Sequence, residues 1–101
     1  MEFSLLAIAE IDFPGGVLPD SDGDMIETLL RTDENINNFS IHSDKVIFFI
    51  WGKNKIDYTT LDKIKDMLQK RKGVNFVISA VEYVRSDQKY NYVSSSQVIS
   101  K

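Results

Sequence analysis

His42 is the only histidine in this chain of 101 residues, and Asp44 follows two positions later. A histidine beside a carboxylate can move protons near neutral pH. Such a pair needs a nucleophile to serve. The chain has no cysteine, and no serine stands in a G-x-S-x-G setting. His42-Ser43-Asp44-Lys45 also lies between two apolar runs, where a turn accounts for every residue. No catalytic residue is assigned.

Asp20-Ser21-Asp22-Gly23-Asp24 is the second stretch with chemical potential. Closely spaced carboxylates suggest a calcium loop. The EF-hand pattern fails, because the glycine falls fourth instead of sixth and Arg31 occupies the twelfth place. Asp24-Met25-Ile26-Glu27 fits a capping box, with Asp24 as N-cap and Glu27 at the third helical position. Asp20 and Asp22 then favour the positive end of the helix. No metal and no cofactor are assigned. Phe13-Pro14-Gly15-Gly16 lacks both phosphate-loop patterns and reads as a turn. Lys53, Lys55, Lys63, Lys65, Lys70, Arg71 and Lys72 make a basic segment. Lysines at that spacing solvate a helix face and pair with Asp62 and Asp66.

The elements that position these residues follow from periodicity. Phe3 to Phe13 alternates, with Phe3, Leu5, Ala7, Ala9, Ile11 and Phe13 on one side of a strand. Pro14-Gly15-Gly16 ends it. A helix with the stripe Met25, Ile26, Leu29 and Leu30 runs to about Thr32–Asn35. Phe39 to Trp51 reads as a hairpin, with Ile41 opposite Val46 and Phe39 opposite Phe48. A second helix begins near Asp57, buries Leu61, Ile64, Met67 and Leu68, and carries Lys70, Arg71 and Lys72 in its last turn before Gly73. Val74 to Arg85 is a long strand. Tyr90-Asn91-Tyr92-Val93 adds an optional fifth strand, and 94–101 is a polar tail.

The order strand, helix, strand, strand, helix, strand is the ferredoxin-like βαββαβ order. It predicts an α+β domain over 1–93, an antiparallel sheet and two helices on one sheet face. The first strand and Lys45–Trp51 take the central places.

Composition sets the class. Hydrophobic residues make up 43% and charged ones 27%, as in a compact soluble domain. No apolar run approaches the roughly 20 residues that span a bilayer. The start Met1-Glu2-Phe3 has no basic leader pattern, and the absence of cysteine fits a cytoplasmic protein. The chain is acidic, with a net charge of −3. Residues 1–50 carry −8 and residues 51–101 carry +5. Such asymmetry either marks a charged partner or brings acidic and basic segments together within one fold.

Two helices on one face leave the other face without a layer. By parity that face shows Leu6, Ile8, Glu10, Ile47, Phe49 and Trp51, with Val77 or Tyr83 beside them. An apolar, aromatic open face marks an interaction surface. The expected function is a non-enzymatic protein-binding module, a small inhibitor or regulator of the immunity, antitoxin or phage counter-defence type. Its contacts would be Leu6, Ile8, Ile47, Phe49 and Trp51, with Asp20, Asp22 and Asp24 adding charge. Its partners would be another protein and a second copy across the open face. One alternative is an RRM-like domain stacking single-stranded RNA on Phe49 and Trp51, although the RRM signature is absent. Another is a small dimeric ferredoxin-like enzyme using His42, Glu10 and Tyr83.

Overall fold

The computed structural model describes residues 3–16 and 18–85. Strand β1 covers Phe3–Asp12, helix α1 Asp20–Thr32, strand β2 Phe39–Ile41, strand β3 Lys45–Gly52, helix α2 Thr59–Leu68 and strand β4 Asn75–Arg85. The strands form one antiparallel sheet in the order β2-β3-β1-β4. This is the ferredoxin-like arrangement, with β1 and β3 in the centre. The fifth strand expected at Tyr90–Val93 and the tail 94–101 lie outside the described residues.

Alternation in β1 and β3 builds the main core. Ala7, Ala9 and Ile11 of β1 join Val46, Phe48 and Ile50 of β3, and all six are buried. Against them lie Ile26 and Leu30 of α1, and Leu61, Ile64 and Leu68 of α2. Fully burying side chains such as Phe48 and Ile64 contributes roughly 1.5–3 kcal/mol each. The hairpin has the expected register, Phe39 opposite Phe48 and Ile41 opposite Val46. His42 N–H donates to the Lys45 carbonyl and closes it around Ser43-Asp44. Pro14–Gly16 is a single 3-10 turn, as its composition implies. Phe13 and Leu18, on either side of it, donate to the carbonyls of Asp44 and Ser43. The turn is thereby stitched to the hairpin bend.

Three features differ from the sequence reading. Helix α1 begins at Asp20 instead of after Asp24, behind Pro19, and no side chain caps it. Pro19 sits in the extended region at φ −61°, ψ 144°, which directs the chain into the helix. Asp20 and Asp22 therefore occupy the first turn itself, where negative charge suits the dipole. Helix α2 stops at Leu68, so Lys70, Arg71 and Lys72 follow it instead of forming its last turn. Arg71 N–H reaches the Leu68 carbonyl, and Gly73 turns the chain at φ 80°. At the other end, Asp57 Oδ1 accepts the N–H and the hydroxyl of Thr59. Those two hydrogen bonds, side chain before backbone, hold the Asp57 carboxyl below its ordinary pKa.

The third difference is a β-bulge. Ile8 pairs with Ala80, but the next residue, Ala9, pairs with Ile78. Ser79 is the extra residue, and its hydroxyl donates to the Ile8 carbonyl at 2.9 Å. A bulge of one residue reverses the alternation beyond it. Ile78, Val81 and Tyr83 consequently share the helix side of the sheet, opposite Ala9, Ala7 and Leu5. Strict alternation placed Tyr83 on the other face, and the bulge overturns that placement.

Candidate functional site

The face opposite the helices is not an open platform. Leu6, Ile8, Ile47, Phe49, Trp51 and Val84 form a second buried cluster, none of them more than 6% exposed. The expectation of an exposed face counted helices alone. Cross-strand register sets Leu6 against Trp51 and Ile8 against Phe49, so the large rings flank the aliphatic chains. The segment Asn35–Asn38 then runs beside β3. The Trp51 and Phe49 N–H groups donate to the carbonyls of Asn35 and Asn38 at 2.9 and 3.2 Å. Asn37 Oδ1 accepts the Trp51 indole N–H at 3.0 Å. Nothing in the periodicity of this asparagine-rich piece points to its hydrogen bonds with β3 and the Trp51 ring. Glu82, opposite Leu6, has its Oε1 buried with no hydrogen-bond partner among the described residues.

Beyond the apolar cluster the same face turns polar. Glu10 and Asp12 are two residues apart on β1, with Lys45 opposite Asp12. A hydrogen bond that the protonated Glu10 carboxyl donates to Asp12, then burial, then repulsion by Asp12 raise the Glu10 carboxyl above its usual value of 4.5, and Lys45 opposes them. A carboxyl whose pKa rises on folding adds stability that is complete below the unfolded value and is lost as pH climbs through the folded one. Glu10→Gln is therefore expected to gain roughly 0.5 kcal/mol or less at neutral pH. The gain should vanish when urea unfolding is repeated below pH 4.5. An unchanged difference between the two pH values would show that the carboxyls do not interact.

A groove opens at the β2 side of the sheet. It is lined by Leu18, Pro19, Asp20, Gly23, Asp24 and Glu27 on one wall and by Ile41, His42 and Ser43 on the other, with a volume of about 440 Å³. Asp20, Asp24 and Glu27 are spaced by four and three residues, which stacks them on one face of α1. Glu27 also accepts a hydrogen bond from Arg31 at 2.9 Å. Asp22 projects elsewhere and pairs with Arg71. That pair joins the acidic first half of the chain to its basic second half, so part of the charge asymmetry is internal.

The structure thus brings Asp20 and Asp24 together, separates Asp22 from them, and adds Glu27, which sequence reasoning assigned to a cap. Helical geometry fans Asp20, Asp22 and Asp24 around α1 instead of folding them inward as a loop would. Among the described residues no three acidic or histidine side chains are grouped as a metal site requires. His42 lies on the groove wall with no hydrogen bond to Asp44 among the described residues. Comparison with known proteins gave no match to a family model, a curated protein or a solved structure.

At the far side of the sheet, β4 exposes apolar side chains. Val77 is 45% exposed, Ile78 39%, Val81 51% and Tyr83 76%. Phe76, nearer α2, packs against the main core with Lys65 Nζ 5.8 Å above its ring. Past Phe76 the helix layer no longer covers the strand.

Proposed function

We propose that this chain is a non-enzymatic protein-binding module, a small inhibitor or regulator that grips a basic segment of its partner. The acidic groove carries the reading. Its walls set Asp20, Asp24 and Glu27 across from His42 and Ser43, beside the apolar Leu18 and Ile41. Convergent carboxylates suit lysine and arginine side chains, while the apolar wall suits their methylene stems. Net charge of one sign in the first half of the chain steers such a partner toward this side. The buried apolar face no longer serves as a ready contact, so the charged segment is the part of the expected surface that supports binding. Base stacking on Phe49 and Trp51 would need rings that are now 3% exposed each, which removes the support for RNA binding.

Titration of the labelled 101-residue chain with a lysine-rich decapeptide tests the proposal by NMR. Amides of Asp20, Asp24, Glu27, His42 and Ser43 are expected to shift, with affinity falling steeply as salt is added. Asp20→Asn with Asp24→Asn should weaken binding at least about tenfold while leaving the fold intact. Shifts spread over the whole acidic surface, or unaffected by the double variant, would remove the groove from consideration.

A further inference from the structure

We infer that the basic segment taken by the acidic groove is the loop Lys70-Arg71-Lys72 of a second copy, in a two-fold dimer built along α1. The inference rests on the groove as a site for basic side chains and names its partner. Two patches of opposite charge flank α1. Asp20, Asp24 and Glu27 line the groove toward the hairpin. At about 100° per residue, Asp22 points to the other flank. There it pairs with Arg71, between Lys70 and Lys72, and all three cations are exposed. Their loop is fixed in place. Arg71 N–H donates to the Leu68 carbonyl, and Gly73 turns the chain against Pro14. Between the flanks, Ser21, Met25 and Thr28 are spaced by four and three residues and form one ridge. All three are exposed, Met25 by 54%, while Ile26 and Leu30 on the far side of the helix are buried.

Symmetry selects the occupant. In a two-fold contact, residue i meets residue j and j meets i. An axis running along α1 exchanges its two flanks. Each groove then meets the basic loop of the other copy, twice over, and Met25 meets its own copy near the axis. An axis across α1 would set acid against acid and base against base, so charge admits only the first orientation. The two patches also stand at the same level of the helix. Arg71 bonds to a first-turn residue, and Asp20 and Asp24 belong to the first two turns. Methionine is enriched at interfaces, which suits Met25 to the centre of this one. The chain's net charge of −3 repels a copy at a distance, but the nearest charges in this orientation are opposite.

Exposed ion pairs are weak one by one and are screened by salt. The dimer is accordingly weak, forms with rising concentration and dissolves as salt is added. A free basic peptide competes with it, because both use the groove.

Charge exchange tests the pairing by sedimentation equilibrium of the 101-residue chain at low salt, over roughly two decades of concentration. The wild-type average mass should climb from monomer toward dimer. Lys70→Glu with Lys72→Glu, and separately Asp24→Lys with Glu27→Lys, should each shift that rise to at least about tenfold higher concentration while Trp51 fluorescence stays native. Mixing the two variants should restore the dimer, because both contacts are then attractive again. If the helix variant disturbs the fold, Met25→Glu answers in its place, since it sets like charges together near the axis. A dimer indifferent to these variants, or a mixture that stays monomeric, overturns the inference. A wild type that stays monomeric yet still takes the lysine-rich decapeptide overturns the inference and keeps the groove. A chain that does neither overturns both.

Discussion

Gly52→Ala is expected to destabilise the protein by about 3 kcal/mol or more, although it adds a single methyl group. Gly52 ends β3, opposite Leu5. The chain then doubles back through Lys53-Asn54-Lys55, and the Lys55 carbonyl oxygen comes to rest where a Cβ on residue 52 would be. The added carbon would also stand 3.2 Å from Ile56 Cα. Both neighbours are backbone, so no side chain can swing aside. Relief requires moving the link that carries Ile56 and Leu61 into the main core. Gly23→Ala supplies the control. Its new carbon would meet only the Leu18 side chain, at 3.7 Å, within α1. Alanine there should be neutral or stabilising by up to about 1 kcal/mol, since glycine is the poorer helix former. Urea unfolding of both variants checks the pair, and equal stabilities would overturn the close approach at Gly52.

The second large effect is at Trp51. Trp51→Ala should cost about 3–5 kcal/mol, a large share of the roughly 5–15 kcal/mol that holds a domain together. The ring is 3% exposed in the second apolar cluster, and its N–H is tied to Asn37. Trp51→Phe keeps most of the packing but strands the Asn37 oxygen, so a loss near 1 kcal/mol is expected. Trp51→Glu buries a charge in an apolar cluster and should unfold the protein instead of leaving a folded monomer. Trp51 is the only tryptophan, so its fluorescence reads the burial directly. Emission should be blue-shifted and weakly quenched by acrylamide. Emission like that of free indole with full quenching would mean that the face is open after all.

Periodicity made the sheet readable in advance. Each strand repeats every two residues, and the hairpin arms pair as Phe39 with Phe48 because a two-residue bend preserves the phase. The bulge left no such trace. Ser79 passes for an ordinary polar position in an alternating strand, and only pairing with β1 shows that one residue is extra. The start of α1 was ambiguous for another reason. Pro19 and Asp24 both suit a helix N-terminus, and the capping-box pattern drew attention to the later one. As to the site, Asp20 and Asp24 were in view from the start as acidic residues. Their separation from Asp22, and their meeting with His42 and Ser43, depend on how α1 lies beside the hairpin. Spacing along the chain does not encode that. The hydrogen bonds of Asn35–Asn38 to the Phe49 and Trp51 N–H groups were hidden for the same reason, because that segment has no periodicity that ties it to β3.

The place of β1 governs the order in which the protein can be built. It is the first described strand to leave the ribosome, and it sits between β3 and β4. Its pairing with β4 joins residues as far apart as Phe3 and Arg85. Until β4 emerges, one edge of β1 has no partner in the sheet, and the nascent chain must carry an apolar strand with half its ladder unmade. Pairings this distant are slow to close, because the intervening chain loses its freedom before the contact forms. Chaperone demand during synthesis should accordingly peak just before residue 85 clears the exit tunnel, and fall once β1 is flanked on both sides.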